Sequence, residues 1–453
     1  MNGELPEGWV ATTLGAVCSK PQYGWTCRAA KIGKIKYVRT TDISNGTIDW
    51  ATVPYCDEAP TDIAKYRISP NDILVSRAGS VGVSIRVGNV PCDAVFASYL
   101  IRFKPLDGVS PEFVEYFLKS AAYWQSISEF SSGIAIPNVN ASKLASLELP
   151  LAPPFEQRRI VTKLTELIGR IDNCREHLAR ARVLLEQFRQ AVLAAACSGR
   201  LTADWRQSQG LAIESPALRS TLSNQLPTPT VNVVERSKTG ALPDSWEWVA
   251  LGQLGHFTGG GTPPKNIAAL WNGTIPWVSP KDMKRARIAD AIDHVSEAAF
   301  KVSPIKLIPT GSILFVVRGM ILNHTLPIAI TDMPIAINQD MKALTPAYSD
   351  MAEYIFIASQ FIAQKLLFEV KEATHGTRRL ETALLLGWAV PLPPLKEQQE
   401  IVRRVTALFS FADSIESRLQ GIVQVVEHLQ PSLFRKAFDG DLIQSRSIHA
   451  PTT

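Results

Sequence analysis

Pro150-Leu151-Ala152-Pro153-Pro154-Phe155-Glu156-Gln157 opens a long helical run, and it returns as Pro391-Leu392-Pro393-Pro394-Leu395-Lys396-Glu397-Gln398. The offset of 241 positions then holds without a gap to Gly199-Arg200-Leu201 and Gly440-Asp441-Leu442. The sequence ahead of each run repeats as well: Leu5-Pro6-Glu7-Gly8-Trp9 matches Leu242-Pro243-Asp244-Ser245-Trp246. A period this long means two whole domains, each ending in a helix, and not a solenoid of short repeats.

The helical runs carry the sharpest periodicity. Ile160, Leu164, Leu167, Ile171, Cys174, Leu178, Ala181, Leu185, Phe188 and Val192 alternate in steps of four and three. Ile401, Val405, Leu408, Ala412, Ile415, Leu419, Ile422, Val426, Leu429 and Leu433 hold the corresponding places. Heptads sustained over more than four repeats predict a narrow coiled-coil seam. Each run starts after Pro-Pro and stops at Gly199 or Gly440, which suits the chemistry of helix ends. From Glu156 to Ser198 the helix would be roughly 60 Å long. Two such helices in one chain most simply pack on each other. Since a globule must return the chain to the far end, antiparallel packing is expected, with the globules at opposite ends of a rod. The alternative is that each helix packs only on its own globule.

Residues 1–150 contain short β-branched runs broken by Gly, Pro and Asn. Ile73-Leu74-Val75-Ser76 and Ser98-Tyr99-Leu100-Ile101-Arg102-Phe103 read as strands, and Pro111 to Gln125 reads as a helix. The second copy keeps the order: strand Ile313-Leu314-Phe315-Val316-Val317, a strand ending in Lys342-Ala343-Leu344, then a helix from Met351 to Val370. Gln207 to Gly240, rich in Ser, Thr, Pro and Asn, reads as a linker.

At 453 residues, 46% hydrophobic and 20% charged, the chain has the composition of a water-soluble protein of two or three domains. Its net charge of +5 permits a polyanionic partner without demanding one. Six cysteines (Cys18, Cys27, Cys56, Cys92, Cys174 and Cys197) form no Cys-x-x-Cys and no zinc spacing with His, so they read as reduced core thiols of a cytoplasmic protein. No signal peptide is expected, and the apolar stretch around Leu384-Leu385-Leu386-Gly387-Trp388 is too short to span a bilayer, so no membrane role is expected.

Catalytic signatures are missing. Gly33-Lys34-Ile35 lacks the hydroxyl that would hold magnesium in a phosphate loop. Gly259-Gly260-Gly261-Thr262-Pro263-Pro264-Lys265 is glycine-rich, but its prolines remove the N–H groups that would cradle phosphate, so it reads as a tight loop at a domain face. Ala152-Pro153-Pro154-Phe155 puts Ala where an amino-methyltransferase needs Asn or Asp. Asp340-Met341-Lys342 and Glu369-Val370-Lys371 have the acid-x-Lys form of a nuclease site, a triplet common by chance.

The tandem copies, the Leu-Pro-x-x-Trp starts, Gly259-Gly260-Gly261-Thr262-Pro263, Trp271-Asn272-Gly273, Ile275-Pro276-Trp277-Val278 and the two helix entries together resemble one family. It is that of the DNA-specificity subunits of type I restriction–modification systems, and the resemblance covers almost the full chain. It implies an α+β protein: two tandem mixed α/β target-recognition domains joined by two long antiparallel coiled-coil helices, with pseudo-two-fold symmetry. The domains would be 1–150 and 241–390, the helices 151–201 and 391–442, with a linker at 202–240 and a tail at 443–453. The resemblance further implies a non-catalytic chain that binds double-stranded DNA, two modification subunits and, through them, restriction subunits. S-adenosylmethionine chemistry at adenine N6 and ATP- and magnesium-dependent translocation and cleavage would belong to those partners. The first copy departs from the pattern: Pro21-Gln22-Tyr23-Gly24 stands where the second has Gly-Gly-Thr-Pro. A self-sufficient DNA-modifying enzyme and a coiled-coil scaffold without a DNA role are the competing readings.

Affinity for DNA should come from Lys and Arg on phosphates, and sequence choice from polar groups at base edges. Arg28, Lys31, Lys34, Lys36 and Arg39 form a basic run that is either a DNA contact or a solvated ribbon. Three loops match between the copies. Arg39-Thr40-Thr41-Asp42 aligns with Ser279-Pro280-Lys281-Asp282 after Tyr37-Val38 and Trp277-Val278, which nominates Arg39, Thr40, Thr41, Ser279 and Lys281. Arg77, Gly79 and Ser80 align with Arg318 and Gly319; an Arg just past a strand, beside Gly, can reach guanine O6 and N7. The other possibility is an Arg paired with a carboxylate of its own domain. Ser131-Ser132-Gly133 aligns with Thr374 to Arg379, nominating Ser132, Gly133, His375, Thr377, Arg378 and Arg379; His324 lies in another polar loop. On the outward faces of the helices, Glu156, Gln157, Glu397 and Gln398 are expected to meet partner subunits.

Overall fold

A computed structural model describes residues 5–131, 138–209, 233–372 and 377–443. The chain forms two compact units, residues 1–180 with 419–453, and residues 181–418. Each unit therefore holds one globule, a segment of its own long helix and a segment of the other.

In unit 1 the globule carries two four-stranded sheets. One runs Gln22–Tyr23, Leu100–Phe103, Ile73–Ser76, Ser84–Arg86; the other runs Ala29–Ala30, Tyr55–Cys56, Lys36–Val38, Ala94–Phe96. Unit 2 repeats the plan. Its five-stranded sheet runs Gly255–Gly259, Met341–Pro346, Ile313–Val316, Ile328–Thr331, Arg287–Ile288, and a three-stranded sheet runs Asp293–Val295, Ile275–Val278, Ala336–Ile337. Ile73–Ser76 and Ile313–Val316 are buried throughout because both are central strands with neighbours on each side, and their apolar character, broken only at Ser76, follows. Pro111 to Gln125 is not one helix. It breaks into Pro111–Phe117 and Ala121–Ser131 around the buried Ser120, whereas Ala352–Phe368 is continuous, as expected.

The long helices run Pro154–Cys197 and Leu395–Phe438, each of 44 residues. Gly199 and Gly440 follow them in left-handed backbone, φ +75° and +85°. Within unit 1, Ile160 and Leu164 near the start of the first helix pack with Phe434, Ala437 and Phe438 at the end of the second. Within unit 2, Val192, Leu193, Ala196 and Cys197 pack with Ile401 and Val405. Arg189 reaches Asp413 and Glu416 at 2.8 Å, while Arg404 reaches Asp204 at 2.7 Å, so the segments run antiparallel. Away from the globules the expected seam is thinner. Cys174, Ile422 and Leu429 are exposed, because a helix pair with no third layer over it covers only one flank of each apolar side chain. Cys92 is exposed too, so the reading of all six cysteines as core thiols holds only for Cys18, Cys56 and Cys197, with Cys27 half-buried 3.1 Å from Cys56.

The repeated motifs at the two ends of each copy meet. The strands after the tryptophans pair antiparallel with those before the helices: Val10–Thr13 with Glu148–Leu151, and Glu247–Ala250 with Ala389–Leu392. That register lets Trp9 Nε1 donate to Glu156 Oε2 (2.7 Å) and Trp246 Nε1 to Glu397 Oε2 (2.8 Å). Pro6 lies against Gly440 and Pro243 against Gly199 so closely that a Cβ at either glycine would overlap the proline ring. Each clasp thus joins the start of a globule, the entry of its helix and the end of the other helix.

This corrects the expectation that Glu156, Gln157, Glu397 and Gln398 face partner subunits. Gln157, Glu397 and Gln398 are at most 1% exposed, and Glu156 is half-buried. Gln157 accepts from Ser110 N and donates to Ala152 O, and Gln398 donates to Pro393 O. Glu397 also accepts from Thr202 Oγ1 (2.6 Å) and pairs with Arg206. Buried polar groups are expected to find partners inside, and Gln157 and Glu397 do, whereas Gln398 uses its Nε2 and leaves its buried Oε1 without a partner among the described residues.

Candidate nucleic-acid interface

Both globules build one edge from the same backbone bonds. In unit 1 the chain crosses at Tyr23-Gly24-Trp25, where Gly24 N donates to Leu100 O and Trp25 N to Phe96 O. In unit 2 it crosses at Gly259-Gly260-Gly261, where Gly261 N donates to Ile337 O. A Cβ at Gly24 would collide with the carbonyls of Phe96 and Ala97, and one at Gly260 with those of Ile337 and Asn338. Glycine is required at both because two backbones touch. Tyr37 Oη then donates to Trp25 O and Trp277 Nε1 to Gly261 O, each at 3.0 Å. Pro21-Gln22-Tyr23-Gly24 and the Gly-Gly-Gly loop are the same element in two sequences.

The first matched loop is capped identically. Arg39 N and Ser279 N donate to Asp42 and Asp282 at 2.8 and 2.9 Å. Arg39 also forks onto Asp42 through Nε and Nη2, so its charge is committed within the loop. Thr40 is half-buried and Thr41 exposed, whereas Ser279 is buried with its hydroxyl on Asp282. Lys281 is exposed and bonded to Asp293 at 2.7 Å, and that hydrogen bond raises its pKa, keeping the amine charged. Lys265, Trp271, Ser279, Lys281 and Asn338 line a cleft of about 600 Å³ here. Sequence reading missed Lys265, Trp271 and Asn338, which are distant in sequence from the loop they join.

The second loop carries the two arginines. Arg77 N donates to Tyr99 O (2.9 Å) and, at the equivalent place, Val317 N donates to Asp340 O (2.8 Å); Arg318, one position further on, shares that carbonyl through its own N–H (3.2 Å). Gly79 (φ +79°) and Gly319 (φ +138°) turn the chain directly afterwards, in backbone regions that side chains avoid. The third loop bridges to the second: Ala78 pairs with Asn138, and Arg318 with Arg379. Arg77 Nε donates to Asn138 Oδ1 (3.3 Å), and its guanidinium lies 4.9 Å from the ring centre of Tyr23. Arg318 Nε donates to Asp340 Oδ1 (2.7 Å) with the side chain 46% exposed. Arg318 is thus paired with a carboxylate of its own domain; Arg77 has no acidic partner among the described residues.

Around them Gly79, Ser80, His324 and Arg379 are exposed, and Thr377 and Arg378 are half-buried. Arg378 donates to Asn323 Oδ1 at 2.8 Å, while Arg379 meets no acid among the described residues. Ser132, Gly133 and His375 lie outside the described residues. The acids of the two nuclease-like triplets serve arginines: Asp340 holds Arg318, and Glu369 pairs with Arg236 at 2.7 Å. Among the described residues no three His, Cys, Asp or Glu gather to hold a metal, and no helix is long and apolar enough to cross a membrane. Asn138 escaped the sequence reading, and Asp340 entered it only as the acid of a nuclease-like triplet. The 241-residue offset places Asn138 on Arg379, a signal that was there, but nothing in the sequence tied either residue to an arginine.

The sequence model of the type I restriction modification DNA specificity domain matches residues 6–180 and 243–424. The specificity subunit of the type I restriction enzyme EcoKI from Escherichia coli K12 is 27% identical, over 97% of this chain and 90% of that one. The EcoR124I/EcoR124II specificity subunit from Escherichia coli is 37% identical over 174 residues, 38% of this chain and 43% of that one. Among solved structures, a chain of a type I R-M system superposes with TM-score 0.68 at 19% identity, covering 97% of this chain and 100% of that one. The HsdS subunit from Thermoanaerobacter tengcongensis gives 0.56, also at 19% identity, over 97% and 99%. These structures share the fold: tandem mixed α/β domains and two long antiparallel helices.

Proposed function

The chain belongs to the type I restriction–modification DNA-specificity family, and from that premise we propose how its residues divide the work. It is a non-catalytic, sequence-specific DNA-binding subunit, and the chemistry of the complex lies in partner subunits. Each unit reads one half of a bipartite target in double-stranded DNA with the edge built around its glycine crossover. Arg77 and Arg318 contact base edges; Thr40, Thr41, Ser80, Lys281, His324, Thr377, Arg378 and Arg379 contact the backbone or flanking bases.

Two modification subunits carry S-adenosylmethionine to adenine N6, and restriction subunits bring ATP- and magnesium-dependent translocation and cleavage, all in the cytoplasm. With the clasp glutamates turned inward, the docking surface in unit 1 falls to their exposed neighbours. Phe155 is 64% exposed, and Arg158, Arg159 and Lys163 surround it in a cleft of about 510 Å³.

The observation that carries the reading is the repetition. Both units bring an arginine to the same strand end, beside a positive-φ glycine and the bridge from the third loop, with Arg318 one backbone position beyond the place of Arg77 and different side chains around each. A scaffold without a DNA role has no use for two such edges. The test is methyl transfer by the modification subunit with and without this chain, followed by exchange of residues 1–150 for those of a relative. Transfer should require the chain, and exchange should change one half of the target and leave the other. Methyl transfer by the chain alone would overturn the non-catalytic assignment; a change in both halves would overturn the two-reader assignment.

A further inference from the structure

We infer that Asn138 and Asp340 are positioning residues that aim the Arg77 and Arg318 guanidinium forks at guanine in the two half-sites. This rests on the reader assignment above and adds the residues that make each reader selective.

A guanidinium can offer two parallel N–H bonds from its end, through Nη1 and Nη2, or from its side, through Nε and one Nη. In both units the side is closed. Nε of Arg77 is taken by Asn138 Oδ1 (3.3 Å), and Nε of Arg318 by Asp340 Oδ1 (2.7 Å). No hydrogen bond engages the Nη groups of either arginine among the described residues. The two acceptors come from different elements. Asn138 stands on the segment that bridges to Ala78, and Asp340 stands between Asn338 and the strand Met341–Pro346.

Two unrelated side chains thus produce one outcome: a plane fixed at Nε and an end-on fork left free. Guanine presents O6 and N7 in the major groove as the bidentate acceptor for such a fork. Holding the long arginine side chain in place before binding removes ordering that would otherwise oppose recognition. Asp340 is itself held, since Asn338 Nδ2 donates to its Oδ2 (3.3 Å) and Asn338 Oδ1 accepts from its backbone N–H (3.0 Å). On the first edge, where the acceptor is neutral, the Tyr23 ring supports the guanidinium face.

The experiment uses the full chain with its modification subunit and a library of duplexes randomised across the target, scoring base preference position by position. Arg318→Ala should relax one guanine position about ten-fold or more. Asp340→Ala should relax that same position, Asp340→Asn should restore it because Oδ1 still accepts from Nε, and Asp340→Ala with Arg318→Ala should be no worse than Arg318→Ala alone. Asn138→Ala should do to the Arg77 position what Asp340→Ala does to the other. Should Asp340→Ala impair folding, Arg318→Lys serves instead: it keeps the charge, cannot fork, and should lose the same position.

A uniform loss over all sequences for Asp340→Ala, or additivity with Arg318→Ala, would overturn the positioning role while leaving the reader intact. Unchanged preference in both Arg→Ala variants would overturn the reader assignment and this inference with it.

Discussion

The tryptophan–glutamate hydrogen bond and the strand pairing behind it repeat in the two clasps, while the edges carry Arg77 and Arg318 one backbone position apart and differ in their supporting side chains. Trp9–Glu156 and Trp246–Glu397 are hydrogen bonds of 2.7 and 2.8 Å between the same atoms. At the edges, the Tyr23 ring under Arg77 gives way to Gly259, where the Lys342 amine would meet any added Cβ. Asn138 gives way to Asp340 from another segment. A clasp must close one fixed geometry between three chain segments, so its atoms are constrained in both copies. An edge needs its backbone to place an arginine, and the supports around it are free to vary with the sequence being read.

That contrast separates stability from preference, and the largest expected effect lies in the clasp. Glu397→Ala leaves Arg206 and the Trp246 N–H without their acceptor in a buried site, and should cost about 3–5 kcal/mol. Glu156→Ala, in a half-buried site with Trp9 as donor, should cost about 1–2 kcal/mol. Denaturant midpoints of the full chain measure both, and equal losses would remove the asymmetry between the clasps. Arg77→Ala and Arg318→Ala should each cost roughly 1–3 kcal/mol against the proper target, at one position in different half-sites, with unfolding unchanged. A shared position, or a shifted midpoint, would erase the line between edge and clasp.

Smaller still is Arg379→Ala. As a phosphate contact it should weaken all duplexes alike and lower the slope of log affinity against log salt by about 0.9. A base-specific loss would make it a reader. Least costly are changes at the exposed thiols. Cys92 and Cys174 should react with a maleimide in the native protein at no loss of binding, whereas Cys18, Cys56 and Cys197 should resist. Burial pushes the Cys18 and Cys56 thiols up to about 12, so the reactive thiolate is scarce there even at mildly alkaline pH. Rapid labelling of Cys197, which is packed among Val192, Leu193 and Ala196, would show that the helix pair opens.

Much of the fold was legible because it rests on periodicity and repetition. The 241-residue offset announced two copies, the heptads announced paired helices, and Gly199 and Gly440 marked where those helices stop. The edge was legible in outline: Arg77 and Arg318 were recognisable from strand, Arg and Gly in series. Their supports were not, because Asn138 is 61 residues from Arg77 and Asp340 is 22 from Arg318, with no pattern linking them. The helix-entry glutamates and glutamines were misread for a related reason. Charge and polarity on a helix suggest a solvent-facing side, and no local signal tells that a tryptophan just ahead of a paired strand waits beside Glu156 or Glu397.

By itself the sequence determined the number of domains, the two helices and their ends, and the absence of catalytic signatures, since repeats, heptads and stop signals act through neighbours along the chain. Tertiary structure alone decided which way Glu156, Gln157, Glu397 and Gln398 point, which apolar seam positions stay covered, and which acceptor holds each arginine. Those outcomes depend on groups brought together from distant segments by strand register and helix packing, where burial demands a partner and the sequence does not say which one arrives.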